Sequence, residues 1–147
     1  MSDVVIVPME ESHFKDVADI EAKCFSNPWA EVSFACALLT PSDKCYVALD
    51  NGKVVGYIVM LHCLDEGELL NIAVSPDMRN MGIAQKLMDS MYSFMKEKNV
   101  ARLLLEVRES NAPAKNLYIK NGFSPIAVRK NYYTKPTENA VVMEKYI

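Results

Sequence analysis

Glu106 is a lone acid inside the apolar run LLLEV, Tyr118 lies downstream in NLYIKNGF, and RNMGIA (79–84) upstream contains one glycine, Gly82. A carboxylate can take a proton, a phenol can donate a hydrogen bond, and a loop in front of a helix can hold an anion. Each also has a plainer reading: a glutamate reaching solvent at a strand end, a core or rim tyrosine, an ordinary helix start. Pattern alone favours the plainer readings.

The loop has a definite physical potential. It joins the carboxyl end of a strand to a helix, so several backbone N–H groups there lack an intrahelical partner. With the helix dipole, the N–H groups of Asn80, Met81, Gly82, Ile83, Ala84 and Gln85 make a site for an anion such as pyrophosphate. Gly82 permits close approach, Ala84 is nearly as small, and Arg79 can supply charge at the rim. No Gly-Lys-Ser/Thr follows, which removes a Walker loop. GxGxxG is absent and no acid ends a strand about twenty residues on, which removes a dinucleotide loop. Asn111, in ESNAPAKN, stands where a helix cap is needed. Tyr132 and Tyr133, in NYYTKP, precede a turn, and their adjacency predicts one ring in the core and one at the surface. Cys45, His62 and Cys63 have too few partners for a metal site, so they read as core packing and no metal is expected.

The surrounding elements must position these groups. DVVIVP reads as a strand ended by Pro8. Phe14, Val17, Ala18 and Ile20 recur at helical spacing towards Cys24 and Phe25. In SNPWAEVSFACALLT, Asn27 is the expected cap of a second helix, Pro28 fits its first turn and Pro41 lies beyond its end. CYVALDNGKVVGYIVML is a hairpin turning at Asn51 and Gly52. ELLNIAVS alternates Leu70, Ile72 and Val74 against Leu69, Asn71 and Ala73, closed by Pro76. From Gly82 the period becomes helical: Ile83, Leu87, Met91 and Phe94, flanked by Met88 and Met95, form one apolar stripe. ARLLLEVR is a strand in which alternation sets Glu106 opposite Leu105 and Val107. NAPAKNLYIKNGF is a short helix with Pro113 in its first turn and Gly122 past its end, and strands near 125–131 and 140–146 follow. The order β-α-α-β-β-β-α-β-α-β-β predicts a mixed α/β (α+β) fold. Its central twisted sheet is mostly antiparallel, with one parallel crossover and helices on both faces.

The chain has 147 residues, half of them apolar, and a net charge of −3. That suits one domain spanning 1–147. The lack of a basic cluster argues against nucleic acid as a partner. The start has no secretory signal, and the longest apolar stretch is too short to span a bilayer. Four scattered cysteines (Cys24, Cys36, Cys45, Cys63) without a CxxC pair read as reduced thiols, so a cytoplasmic protein is expected. A monomer or weak dimer is the expected assembly.

RNMGIA also resembles the Arg/Gln-x-x-Gly-x-Gly/Ala loop of the GNAT acetyltransferases, and it follows NIAVSPDMR as that loop follows the family's central strand. CFSNPWAEVSF, LLNIAVSPDMRNMGIAQKLM, LLLEVRESNAPAKNLYIKNGF and RKNYY, in this order, are similar to segments of the bacterial ribosomal-protein alanine N-acetyltransferase (RimI) branch. Ala84 stands where glycine is common, and Asn80 and Met81 replace residues that are often basic. The resemblance implies acetyl-CoA as donor, its pyrophosphate on residues 79–85 and its pantetheine arm along the backbone of Ile72, Ala73 and Val74. Asn111 would help to hold the cofactor. It further implies direct transfer with Glu106 as general base, through water, and Tyr118 as general acid to the departing sulfur. Tyr132 and Tyr133 would enclose the acceptor, the N-terminal peptide of a ribosomal protein (small-subunit protein eighteen). Alternatives are a GNAT enzyme for lysine side chains or small amines, and a non-catalytic acyl-CoA module.

Overall fold

The computed structural model describes residues 3–147. Seven strands form one sheet in the order β1-β2-β3-β4-β5-β7-β6. They are β1 (Val4–Pro8), β2 (Asp43–Asp50), β3 (Lys53–Cys63), β4 (Glu66–Val74), β5 (Arg102–Arg108), β6 (Ser124–Tyr133) and β7 (Glu138–Tyr146). Four α-helices accompany them: α1 (Phe14–Cys24), α2 (Glu31–Leu39), α3 (Ile83–Glu97) and α4 (Ala112–Lys120). β4 and β5 pair in parallel across α3, and every other neighbouring pair is antiparallel.

Helices cover both faces. On one, Ile83, Leu87, Met88, Met91 and Met95 of α3 and Tyr118 of α4 pack with Leu69, Leu103 and Leu105. The methionines of α3 are fully buried, so their flexible thioethers fill core, as the apolar stripe predicts. On the other, Phe14, Val17 and Ile20 of α1 and Phe34 and Ala37 of α2 pack on Val47, Tyr57 and Val59. The β2–β3 turn has Asn51 at φ 51 and Gly52 at φ 81, the left-handed pair that a tight hairpin turn requires.

Two departures matter for the site. Helix α2 begins at Glu31 with Ala30, not Asn27, at its cap position. The Trp29 N–H is taken by Glu21 Oε2 at 3.0 Å. That bond holds the chain out of helical geometry past Pro28, and Ala30 is extended (φ −78, ψ 161). Asn27 instead donates to Thr134 Oγ1 at 2.8 Å.

The second departure is in β4, where simple alternation fails. Met60 pairs with Leu69 and Val59 with Asn71, so Leu70 is an extra residue, a β-bulge. Leu69 packs on the α3 face, Leu70 on the α1–α2 face, and Asn71 bonds to Glu21 of α1. Pairing of β4 with β5 ends at this point, with Leu69 opposite Leu105. Beyond it the two central strands part.

Candidate active site

The parting of β4 and β5 leaves residues 71–74 paired with β3 on one side and outside the β5 ladder on the other. Backbone N–H and C=O groups seek partners, so this side of Ile72, Ala73 and Val74 can accept an extended chain as a further strand would. A Cys24 thiol lies 3.7 Å from the Val74 carbonyl.

At the amino end of α3, Gly82 has φ 76 and Asn80 φ 63. The first intrahelical bond there runs from Lys86 N–H to the Gly82 carbonyl, 3.1 Å. The N–H groups of Ile83, Ala84 and Gln85 therefore lack a helical acceptor. A Cβ built on Gly82 meets nothing within 4 Å, so the space in front of the loop is open. These groups fit a pyrophosphate. The side chain of Gln85 is otherwise engaged, exchanging bonds with Asn121 at 3.0 and 2.9 Å, so only its N–H faces this duty. Arg79 turns to Cys24 Sγ, 3.3 Å, and pins the loop to the end of α1. Met81 is exposed.

Glu106 projects from β5 on the face opposite Leu105 and Val107, as alternation predicts. Its Oε2 is buried and has no hydrogen bond, while Arg129 Nη1 stands 3.6 Å away. Lone pairs on this oxygen remain free to accept a hydrogen bond from a water or an amine. Glu68 of β4 is half-buried, and burial, then the Glu106 charge, raises its carboxyl above the ordinary range.

Tyr118 is 6% exposed on α4 and stacks edge-on with Phe123 at 6.0 Å. Burial, with a smaller contribution from Tyr133, lifts its hydroxyl well above the usual tyrosine value. It therefore remains a hydrogen-bond donor throughout the neutral range. Tyr133 is the shared neighbour: burial first, then Glu106, pushes it up to about 12. Tyr132 is exposed and Tyr133 only half-buried, so neither ring lies in the core as their adjacency predicts for one of them. Asn111 caps α4, its Oδ1 accepting the Ala114 N–H at 3.2 Å.

Three residues escape the sequence reading. Glu21 is 2% exposed and accepts hydrogen bonds from the Tyr57 hydroxyl, Asn71 Nδ2 (2.7 Å) and the Trp29 N–H. It stands four residues after Val17 on the apolar stripe of α1, a position that marks a charged residue for burial. Arg108 shares the face of Glu106 by period two. Arg129 carries no such signal, because it comes from the far edge strand. Among the described residues no three His, Cys, Asp or Glu side chains cluster as metal ligands. Cys45 is buried and His62 stacks on Phe94 at 5.6 Å, but Cys63 is exposed at the end of β3 and is not core.

Comparison with known proteins bears on this geometry. The model of the family described as "Acetyltransferase (GNAT) family" matches residues 14–123. The ribosomal protein bS18-alanine N-acetyltransferase of Haemophilus influenzae is 38% identical over 149 residues, covering 97% of this chain and 99% of its own. The crystal structure of the ribosomal-protein-S18-alanine N-acetyltransferase from Escherichia coli superposes with TM-score 0.90 at 33% identity, covering 99% of this chain and 94% of that one. Ard1 from Thermoplasma volcanium gives TM-score 0.91 at 28% identity, covering 98% and 97%.

Proposed function

Since the chain belongs to the acetyltransferase (GNAT) family, and is thereby an acetyl-CoA-dependent N-acetyltransferase, we propose that its acceptor is the N-terminal alanine of a ribosomal protein in the cytoplasm. The observation that carries this reading is the opening past Leu69, with Glu106 on its β5 wall and unpaired main chain on its β4 wall. Similarity over nearly the whole chain to enzymes named for bS18 alanine supports the acceptor.

Bound acetyl-CoA supplies the acetyl group as a reactive thioester. The free amides of residues 80–85 hold its pyrophosphate, and Ile72, Ala73 and Val74 align its pantetheine arm through the backbone. Asn111 steadies the cofactor from the start of α4. Glu106 takes the proton of the attacking amine, through a water. As the carbon–nitrogen bond forms and the carbon–sulfur bond breaks, the Tyr118 hydroxyl donates a hydrogen bond to the sulfur, which leaves as thiolate while the amine's proton passes through Glu106 to solvent. A free thiol ionises near 8.5 and buried Tyr118 far higher, so the donor acts by a hydrogen bond that tightens as charge grows on sulfur. Tyr132 and Tyr133 border the acceptor.

The choice of an α-amine follows from proton energetics. An α-amine titrates at about 7.7–8.0 and a lysine at about 10.4, a difference of about 3 kcal/mol at neutral pH. Glu106 is a modest base, adequate for the former. The test compares an arginine-containing peptide that begins with alanine against the same peptide with a blocked N-terminus and an internal lysine. The first should react at least about a hundredfold faster in kcat/KM, with the site located by mass spectrometry. Equal rates would sink the N-terminal assignment in favour of a lysine acetyltransferase.

A further inference from the structure

Arg108 closes β5 two positions after Glu106, and its guanidinium joins segments remote in sequence. Nη2 donates to the Thr134 carbonyl at 2.7 Å and to Ser26 Oγ at 3.3 Å. Nη1 donates to the Pro136 carbonyl at 3.0 Å and to Glu138 Oε1 at 3.2 Å. The same group lies over the Tyr133 ring, 4.6 Å from its centroid. Ser26 belongs to the irregular stretch between α1 and α2, and Thr134 and Pro136 belong to the turn between β6 and β7. Asn27 adds a second tie by donating to the Thr134 carbonyl at 3.1 Å and to its hydroxyl. Glu138 carries the network on, its Oε2 accepting the Ser110 N–H at 2.6 Å just before α4.

We propose, resting on the N-acetyltransferase reading above, that Arg108 is the positioning residue for the acceptor. It draws the 25–30 stretch and the 134–137 turn into one rim beside Glu106 and fixes the Tyr133 ring there. Neither segment belongs to a helix or strand, so each draws on such ties for a fixed shape. A guanidinium suits the task because its donors diverge in one rigid plane and reach acceptors on separate segments. A lysine ammonium is a point, able to serve Glu138 or the loop. Without the tie, both segments must be ordered when the acceptor arrives, and that cost falls on acceptor binding. The donor site on β4 and the amino end of α3 takes no part in these contacts, and the network nears Asn111 only through Glu138 and the Ser110 N–H, not through the guanidinium itself.

Arg108→Gln and Arg108→Lys in the full chain test this. With the alanine-first peptide and acetyl-CoA, Arg108→Gln should raise the acceptor KM at least tenfold. KM for acetyl-CoA should stay within twofold, and kcat should fall by less than about threefold. Arg108→Lys should resemble Arg108→Gln, because charge alone does not bridge the segments. Full rescue by lysine, or parallel loss in both substrates' parameters, would overturn the proposal. Hydrogen exchange gives a readout free of turnover: amides of 25–30 and 134–137 should both exchange faster in Arg108→Gln, with β5 and β7 unchanged. Faster exchange in the turn alone would reduce Arg108 to a hairpin brace and also overturn it. If the native protein acetylates no N-terminal peptide, the acceptor reading itself fails, and exchange still decides whether Arg108 joins the segments. Should Arg108→Gln unfold, Ser26→Ala with Asn27→Ala cuts only the loop arm. An unchanged acceptor KM there would count against the rim.

Discussion

Glu106 keeps its buried Oε2 free of hydrogen bonds, with the Arg129 guanidinium 3.6 Å away, and a carboxylate so placed has lone pairs left for a water or an amine. The proposed proton acceptance would use them. Glu106→Gln keeps the shape and loses the basicity; Tyr118→Phe keeps the ring and loses the donor. Each should lower kcat by about 10²–10⁴-fold with acetyl-CoA binding little changed. The pH profile separates the two. Burial holds the Tyr118 proton well above the ordinary value of 10.0. The native enzyme should therefore show no loss of rate near pH 10 from this group, and the deficit of Tyr118→Phe should be constant from pH 7 to 10. A native rate that falls with an apparent pKa near 10, absent in Tyr118→Phe, would show an ordinary exposed phenol instead. Of the site, Glu106 is legible as a lone acid in an apolar run, but pattern alone favours a strand-end glutamate and a core tyrosine, and the roles proposed for Glu106 and Tyr118 come from the family resemblance. Arg108 is not legible, because its partners Ser26, Thr134, Pro136 and Glu138 come from segments that only the fold assembles.

Among the elements, the amino end of α3 depends most on one residue. Gly82 sits at φ 76, a conformation that a β-branched residue adopts only with strain. The surroundings leave room for a side chain, so the damage from Gly82→Val should fall on the backbone of the loop and on whatever approaches it. Acetyl-CoA affinity should drop more than tenfold, beyond about 1.4 kcal/mol, in calorimetric titration of the folded variant. Undiminished affinity would move the pyrophosphate elsewhere. The order of strands and helices is legible because each carries its own period: two in LLLEVR, helical from Ile83 onward, and a left-handed turn at Asn51 and Gly52. The start of α2 is not, since a side chain on α1 decides it. A buried Glu21 outcompetes the local capping preference of Asn27 by claiming the Trp29 N–H. The bulge at Leu70 is hidden as well, in a run whose residues are apolar on both faces.

Over the whole molecule, burial of phenols links stability to alkaline pH. Tyr46, Tyr57, Tyr92, Tyr118 and Tyr133 all titrate above 10.0, chiefly because burial penalises the phenolate. For Tyr57 the Glu21 carboxylate adds to the effect. Below pH 10 both folded and unfolded chains keep these protons, so the tyrosines impose no pH dependence. Above it the unfolded chain releases protons that the folded chain retains, and stability is lost as pH rises. Cys45, raised from 9.0 to about 11, begins the decline about a unit earlier. The buried pair Tyr57 and Tyr118 should alone remove about 2 kcal/mol between pH 10 and 11. Urea midpoints should thus hold steady from pH 7 to 9 and fall steeply by pH 11. A flat response, with tyrosinate absorbance rising near pH 10 in the folded protein, would contradict the burial described.

The extra residue in β4 invites an excision. Removing Leu70 from a regular strand would swap every later side chain to the opposite face. Here the opposite holds: Leu69 already faces α3 and Asn71 already faces α1, so the shortened strand would alternate correctly and match β3 without interruption. By the logic of packing alone, Leu70 is surplus. What it supplies is a bend, placed where the parallel ladder to β5 stops. The deletion should therefore yield a folded protein whose parallel ladder runs on past Leu69 and Leu105. Calorimetry should find no acetyl-CoA binding to it, while thermal melting should remain cooperative. A variant that still binds acetyl-CoA would show that the gap owes nothing to Leu70. Otherwise this irregularity between the central strands is a working part, and repairing it disarms the enzyme.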